Sequence, residues 1–286
     1  MSASMKYIHA VRGSFIACCV FILAVIFLPE REPLQNVELI LTVSTFLFAI
    51  LAGFFLSRLN ARYDKIISFI SDEDSYWLSF YRASFVIGGK FVDKVRDEMD
   101  KYYIAAYDSE VGNYYYKQTT QNLENVYMEL YKLKLSASSK DAEVFQVMLN
   151  CLSEIEIARN QSSVSTRERL TAGHWLVLLL LAFIIVFFMF FLDLPQPYSQ
   201  ALTVLLSTVL VLVLLIIRDL QNLKLGGYAL SIESGQEVFE SIGKLRYYPQ
   251  SLIKDGTVDI PKNVKKYRVG LHNPGEKFKI KVVNNV

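Results

Sequence analysis

The residue types that catalyse reactions or bind metals are few in this sequence, and their spacing does not match catalytic or metal-binding motifs. Three histidines, His9, His174 and His272, lie in unrelated contexts, and the three cysteines lack the spacing of zinc ligands. No phosphate-binding glycine loop, nucleophile elbow or paired-histidine metalloprotease motif occurs. We therefore expect no catalytic residues, no cofactor and no metal site, and we expect a protein that is not an enzyme.

One acidic cluster, Asp72-Glu73-Asp74, suggests calcium binding, because hard cations prefer several carboxylate oxygens. The cluster lacks the spaced ligands and the glycine of an EF-hand loop, however. A solvated helix cap explains it equally well, because carboxylates are favourable at a helix N-terminus. We prefer the cap, with a helix that begins at Asp74 or Ser75 and runs to about Ala106.

The composition is that of a membrane protein. Of 286 residues, 52% are hydrophobic and only 20% are charged, whereas a soluble domain has about a quarter of its residues charged. The 30 basic and 28 acidic residues leave a net charge of +2. A strongly basic nucleic-acid-binding protein is therefore excluded as the default, and we expect the lipid bilayer as a partner and no nucleic acid.

Four apolar segments have about the length that a membrane-spanning helix needs. A helix rises about 1.5 Å per residue, so roughly 20 residues cross a hydrocarbon core of about 30 Å. The segments are residues 10–28, 37–57, 170–192 and 194–217. The first could instead be a secretory signal peptide, but no small-residue cleavage site precedes Pro29, so we favour an uncleaved helix.

The four segments form two hairpins, because the connection within each pair is short and carries prolines, Pro29 and Pro33 in the first and Pro195 and Pro197 in the second. This arrangement divides the chain into a first transmembrane hairpin, an insert, a second hairpin and a tail. The boundaries are 1–57, 58–169, 170–217 and 218–286.

Basic residues flank the hairpins on the side opposite to their turns. They are Lys6, Arg12, Arg58, Arg62, Lys65, Arg167, Arg169, Arg218 and Lys224. The positive-inside rule therefore places both termini and the insert in the cytoplasm. We predict a multi-pass protein of the cell (inner) membrane.

The insert and the tail differ in predicted structure. The insert contains 15 basic and 17 acidic residues and no proline, which favours helices, including one over 115–135 and one over 139–157. In the tail, 231–242 predicts a short helix ended by Gly243, and alternating residues on both sides of 272–276 predict a β-hairpin. The predicted fold is an all-α integral membrane protein with four transmembrane helices in two hairpins, a helical cytoplasmic insert and a small C-terminal β-hairpin.

The second membrane helix carries small or hydroxyl-bearing residues at helical spacing. They are Thr42, Thr45, Ala49, Ala52 and Gly53. Such residues either let helices pack closely, which is the commoner use, or line a narrow pore. If they line a pore, Thr42, Thr45 and Ala49 are the candidate pore-lining residues, and Arg58 or Arg62 would form a basic ring that attracts anions.

The membrane segments contain no acidic or basic residue except near their ends, as at Arg12 and Glu38. Ionisable residues inside the membrane are the usual mark of proton-coupled transporters. Their absence here argues against a transporter of that kind.

The predicted last strand carries three lysines, Lys277, Lys279 and Lys281, at alternating positions. Each could contribute about 1 kcal/mol of attraction to an anionic lipid surface. The alternative, which we prefer, is an exposed sheet edge that the lysines keep soluble.

Several short stretches resemble a family of bacterial bestrophin-like membrane proteins, and together they cover about residues 10–245. LSRLNARYDK (Leu56–Lys65) resembles the basic exit of that family's second helix, and DEDSYWLSFYR (Asp72–Arg82) resembles its acidic segment followed by an aromatic-Arg pair. Arg167-Glu168-Arg169-Leu170 before Trp175 and Arg218-Asp219-Leu220 before Gly226-Gly227 are also similar, although the proline usual after the latter is absent. The family-motif candidates are Glu73, Tyr81, Arg82, Arg169, Trp175, Arg218 and Asp219.

The resemblance implies a distant relation to bestrophins, which are homopentameric, calcium-activated anion channels. No hydrophobic neck motif and no calcium clasp can be carried over to residues of this chain. We therefore predict a homo-oligomeric ion channel, for anions as the resemblance implies. The alternative is a non-conducting membrane scaffold or signalling component that recruits a cytoplasmic protein partner through its helical insert.

Overall fold

The structure is a computed structural model that describes residues 8–27, 37–109, 117–133, 139–191, 196–223, 232–254, 258 and 260–285. Backbone contacts divide the chain into two compact units. The first unit comprises 1–63 and 169–227, and the second comprises 64–168 and 228–286. The tail after 227 therefore belongs to the same unit as most of the insert.

Four helices are long and apolar enough to cross a membrane, among the residues that the structure describes. They are α1 (Ile8–Phe27), α2 (Val37–Ile87), α6 (Ala172–Phe191) and α7 (Pro197–Gln221). The prediction of an all-α membrane protein with four transmembrane helices is confirmed, although α2 is far longer than the span alone requires.

The first unit is held together by packing of α7 against other membrane helices. α1 lies along α7, and the close approach is visible at Gly13, where an added Cβ would press into the side chain of Leu215. A second apolar cluster joins α2, α6 and α7. Its buried members are Phe48, Ala52, Phe55, Leu59, Leu170, Leu178, Ala182, Ile185, Leu210, Ile217 and Leu220. α7 thus contributes to both contacts.

α2 continues without interruption past the acidic cluster, so the expected helix start at Asp74 or Ser75 is wrong. The Ser75 hydroxyl donates backwards to the Ser71 carbonyl at 2.8 Å, as a residue inside a helix does, and caps nothing. The helix ends instead at Gly88, whose φ of 73° and ψ of −174° lie in a region that only glycine adopts readily.

In the second unit, three helices of the insert pack with the end of α2 around an aromatic core. They are α3 (Gly89–Asp108), α4 (Lys117–Tyr131) and α5 (Ser139–Arg167). α4 buries Leu123, Val126 and Leu130 at helical spacing, as its sequence predicts. α5 extends ten residues beyond the predicted end at Ile157. Between these helices, residues 110–116 and 134–138 lie outside the described part of the chain.

The tail forms a small sheet with two short helices. After α8 (Ile232–Ser241) come β1 (Tyr247–Pro249), α9 (Gln250–Lys254), β2 (Lys266–Gly270) and β3 (Ile280–Asn284). β2 and β3 pair antiparallel, which confirms the predicted hairpin, and β1 adds in parallel to the other side of β2. The sheet thus has one more strand than the sequence predicts.

Charge pairs and close packing attach this sheet to α3 and α8 within the second unit. Arg268 donates both terminal nitrogens to Asp100, at 2.6 and 2.9 Å, and its guanidinium lies over the Phe239 ring. Gly270 leaves room for the Tyr247 side chain, which a Cβ at that position would overlap. The hydroxyl of Tyr247 in turn donates to Asp108 at 2.6 Å.

Candidate functional site

The stripe of small and hydroxyl-bearing residues on α2 lies on the outside of the first unit. Thr42, Thr45, Ala49 and Gly53 are exposed, and an added Cβ at Gly53 would meet nothing within 4 Å. We call these four residues the polar stripe of α2. The adjoining side of the helix, which carries Phe48, Ala52, Phe55 and Leu59, packs against α6 and α7. The polar stripe is therefore not used for close helix packing within the described part of this chain. The neighbouring small residue Ala52 is buried.

The two arginines that follow the stripe differ in environment. Arg58 is exposed, whereas only 5% of Arg62 is exposed. Arg62 Nη1 donates to the backbone carbonyl of Gln221 at the end of α7, at 3.0 Å. Arg62 therefore ties α2 to α7, and Arg58 is the one of the two that lies on the surface.

Gln221 collects three hydrogen bonds at the junction of α2, α6 and α7. Besides its backbone contact with Arg62, its side-chain Oε1 accepts the indole N–H of Trp175 at 3.0 Å and the backbone N–H of Leu170 at 3.2 Å. Trp175 thus acts as a polar anchor as well as an apolar contact. Trp175 and Arg62 are among the predicted site residues, whereas Gln221 is not, because the three residues are far apart in the chain.

Three other family-motif candidates of the first unit are close in sequence to these contacts. Arg169 precedes Leu170, and Arg218 and Asp219 precede Gln221. Arg218 donates Nε and Nη2 to Asp219 Oδ1, at 3.0 and 2.8 Å. Asp219 is buried, whereas Arg218 is exposed. The guanidinium of Arg218 supplies the opposite charge that a buried carboxylate needs. Arg169 is exposed at the chain's entry to α6.

In the second unit, Glu73 and Asp74 form a buried pair of carboxyl groups on α2. Tyr102 donates its hydroxyl to Glu73 Oε1, and Tyr103 donates to Asp74 Oδ1 at 2.6 Å. Adjacent acids on one helix therefore face adjacent tyrosines on the next. The interpretation of this cluster as a solvated cap is wrong, since only Asp72 of the three acids is exposed.

A cation and an indole complete the surroundings of Glu73. The Arg159 guanidinium lies 5.3 Å from the centre of the Tyr102 ring and donates to Thr119 Oγ1 at 3.1 Å. Trp77 is fully buried beside Tyr102, with ring centres 5.0 Å apart. α2, α3, α4 and α5 thus all contribute to one buried polar cluster.

Burial controls the protonation of this cluster. Glu73 lies in the second unit, sixteen residues beyond the apolar run that ends at Ser57. Loss of solvation raises the pKa of Glu73 to about 8, and the neighbouring Asp74 charge adds to the rise. The Tyr102 hydrogen bond and the Arg159 charge oppose it. Burial and the same two acids also hold the pKa of Tyr103 well above its usual value. Glu73 is therefore a proton-binding group near neutral pH.

Tyr81 and Arg82, the aromatic-Arg pair, point to different environments. Tyr81 is buried and packs edge-on against Phe85, with ring centres 5.0 Å apart. Arg82 is exposed. Tyr81 therefore contributes to the core of the second unit, and Arg82 does not.

A third polar cluster, which the sequence analysis missed, lies where the tail meets the end of α3. Asp108 accepts from Tyr247, and His272 Nε2 lies 2.8 Å from its other oxygen. Because His272 Nδ1 accepts the Lys279 N–H at 3.1 Å, Nε2 carries the proton and donates to Asp108. Burial raises the pKa of Asp108, and both hydrogen bonds oppose this rise. The cluster fixes the sheet to α3.

No group of three or more histidine, cysteine or acidic side chains is placed to hold a metal ion within the described parts of the chain. The two buried acids of the 72–74 cluster are hydrogen-bonded to tyrosines instead.

A family model described as the Bestrophin-like domain matches residues 13–233. This match covers the first membrane hairpin from residue 13 onwards, the helical insert and the second hairpin, and the chain therefore belongs to the bestrophin-like family. The recognition made from the short motifs is confirmed. No curated protein and no solved structure matches the chain. The sheet of the tail lies beyond the matched residues.

Proposed function

We propose that this membrane protein assembles with copies of itself into an ion channel, with α2 lining the pore. The observation that carries the proposal is the orientation of the polar stripe of α2. Thr42, Thr45, Ala49 and Gly53 face away from the packed interior of the first unit, although hydroxyl-bearing residues gain nothing from contact with lipid tails. A symmetric ring of chains would give these residues a water-filled axis.

The chemistry of the stripe suits conduction better than tight binding. The Thr42 hydroxyl donates to the Glu38 carbonyl of its own helix at 2.7 Å, which leaves its oxygen as a weak polar site. Weak, repeated sites allow an ion to leave as readily as it enters. The resemblance to bestrophins implies anions, so we propose an anion channel; Arg58, five residues beyond Gly53, points about 140° around α2 from it and does not continue the stripe.

The proposed orientation follows from the basic residues that flank the membrane segments. Under the positive-inside rule the insert, the tail and both termini lie in the cytoplasm, and the protein is a multi-pass protein of the cell (inner) membrane. The proposed function is transport along an ion gradient, without a catalytic step, cofactor or metal in the chain.

The first test is the oligomeric mass of the purified protein in detergent. A discrete ring of several subunits is expected, and a monomer or dimer would reject the proposed channel because neither can enclose a pore within a ring of α2 helices. Currents across reconstituted bilayers then test conduction itself.

A second test locates the pore by single cysteines in a background without Cys18, Cys19 and Cys151. A cysteine at Ala49 should react with a charged, water-soluble thiol reagent and change the current. The matched control is a cysteine at Ile50, which is also exposed but points about 100° around the helix. Equal reaction at both positions, or at neither, would contradict a pore lined by the polar stripe.

The second candidate function is a non-conducting scaffold that recruits a cytoplasmic protein. The tail favours it, because its sheet carries exposed lysines on an edge strand. A well-defined oligomer that passes no current in bilayers, yet retains a bound protein partner through the insert or tail, would support the scaffold.

A further inference from the structure

The last strand of the tail has a free edge. β3 pairs with β2 on one side, and no strand lies on its other side among the residues that the structure describes. Leu271 N donates to the Lys279 carbonyl and Asn285 N to the Lys265 carbonyl, both at 2.8 Å. Because inward and outward backbone groups alternate along an antiparallel strand, Ile280, Val282 and Asn284 direct theirs away from β2. The free edge therefore offers N–H and C=O groups to a further strand.

The side chains along this edge alternate between basic and apolar. Lys279, which directly precedes β3, and Lys281 within it point to the same face and are exposed. Ile280 and Val282 lie on the other face, with 37% and 55% of their surface exposed. Neither lysine forms an ion pair within the described part of the chain. The exposed side chains on both faces of the edge are therefore accessible to a further strand, whereas Val283 packs against the core.

The charge of the tail is unlike that of the rest of the chain. Residues 244–286 contain ten basic and three acidic residues, a net charge of +7. Since the whole chain carries +2, residues 1–243 carry −5. Arg268 and Lys244 are paired with Asp100 and Asp97. The lysines of β3 remain available to an acidic partner.

We propose that the free edge of β3 binds an extended acidic segment of another protein, which joins the sheet as a fourth strand. Backbone groups of the segment would pair with Ile280, Val282 and Asn284. Its acidic side chains would lie beside Lys279 and Lys281, and its apolar side chains beside Ile280 and Val282. The expected ligand therefore alternates acidic and apolar residues. This binding site lies in the tail, outside the part of the chain that matches the family.

A second copy of the chain fits the edge poorly. Antiparallel pairing of β3 with a second β3 about Val282 would place Lys281 opposite Val283 and Lys279 opposite Asn285, so two basic tails would meet with no acidic side chain opposite the lysines. An anionic lipid surface would attract the lysines but would leave the outward backbone groups without partners. It would also leave Ile280 and Val282 on the face opposite to the lysines. A strand of alternating acidic and apolar residues would contact the lysines, the outward backbone groups and the apolar side chains of Ile280 and Val282.

The test uses the full-length protein in nanodiscs of neutral phosphatidylcholine. The probe is a fluorescent ten-residue peptide in which glutamate alternates with valine. The control peptide has the same composition, with its glutamates and valines in two separate blocks. Fluorescence anisotropy should show at least about ten-fold tighter binding of the alternating peptide, since only alternation places both residue types on their correct faces.

Two variants separate strand addition from simple charge attraction. Val282→Pro removes one outward N–H but no hydrogen bond to β2, so it should weaken binding about ten-fold. The double variant Lys279→Glu/Lys281→Glu changes only exposed side chains and should also weaken binding about ten-fold. The matched control, Lys254→Glu/Lys262→Glu, reverses two exposed lysines outside β3 and should leave the affinity within about two-fold.

Three results would overturn the proposal. They are equal binding of the two peptides, unchanged binding by Val282→Pro protein that retains its thermal unfolding midpoint, and equal losses from the β3 and control lysine variants. Lysine-dependent binding to phosphatidylglycerol vesicles without peptide binding would assign the edge to lipid instead. None of these measurements depends on ion conduction, so the outcome is independent of the proposed channel.

Discussion

At the scale of single residues, the buried carboxyl group of Glu73 has the clearest measurable consequence. Its pKa of about 8 in the folded protein compares with 4.5 for a solvated glutamate. The folded chain therefore binds a proton between these values that the unfolded chain does not. The stability that this proton contributes is complete below pH 4.5 and is lost as the pH rises through 8.

We expect Glu73→Gln to reduce the pH dependence of stability. Between pH 6 and pH 9, ionisation of Glu73 should lower the free energy of unfolding of the wild-type protein by roughly 3 kcal/mol, because each pH unit between 6 and 8 removes about 1.4 kcal/mol. Glutamine cannot ionise, so the variant should lack this decrease. Equilibrium unfolding of the purified protein at both pH values provides the measurement.

The matched control for Glu73→Gln is Asp72→Asn, which removes the adjacent but exposed carboxyl group. This variant should keep the wild-type pH dependence. If Glu73→Gln and wild-type protein lose the same stability between pH 6 and pH 9, Glu73 is not the group that titrates.

The role of Glu73 could not be predicted from its local sequence. The cluster Asp72-Glu73-Asp74 is visible in the sequence. However, the same three residues could stand at a helix start or contribute carboxyl groups to a protein core. Its partner Tyr102 is 29 residues away, and Arg159 is further along the chain. The available signal was a pair of adjacent tyrosines on α3, Tyr102 and Tyr103, that could bind two adjacent acids on α2. This signal can be interpreted only once α2 and α3 are known to pack together.

At the scale of elements, the spacing of apolar residues predicted the helices and strands whose positions depend on that spacing. The membrane spans, the α4 helix and the β2–β3 hairpin follow from apolar spacing and turn residues. β1 was missed because it has only three residues and pairs with β2, about 20 positions later. The start of α3 was misplaced because the acids suggested a cap, whereas the true boundary is the glycine pair.

The boundary between α2 and α3 yields a test of backbone conformation. Gly88→Ala should lower the free energy of unfolding by about 1–3 kcal/mol, because φ of 73° with ψ of −174° is costly for any residue with a Cβ. Thermal unfolding of the purified protein, with the midpoint as readout, measures this.

The control for Gly88→Ala is Gly173→Ala. Gly173 lies in the first turn of α6 with an ordinary helical backbone, and an added Cβ would make only a van der Waals contact with Thr171. Its midpoint should stay the same or rise slightly. Equal midpoints for the two variants would show that the junction at Gly88 tolerates a Cβ.

At the scale of the whole molecule, the surface of the membrane helices indicates how much contact the chain leaves to its surroundings. In each span no more than 22% of the apolar window is buried within the chain. Large apolar side chains on α1, α2, α6 and α7 therefore face lipid or other copies. The polar stripe of α2 is the part of this surface for which lipid is the poorer neighbour, and this is the physical reason to expect assembly.

The proposed topology can be tested in intact cells with single cysteines in the background that lacks the three native ones. Cysteines at Asn36 and Ser199, in or near the two hairpin turns, should react with a membrane-impermeant thiol reagent. One at Gln121 on α4 should not. Gln121 is exposed on the second unit, so only the membrane can protect it. Permeabilised cells provide the control, because the Gln121 cysteine should then react. Reaction at Gln121 before permeabilisation would place the insert outside the cell, and would reverse the orientation inferred from the flanking arginines and lysines.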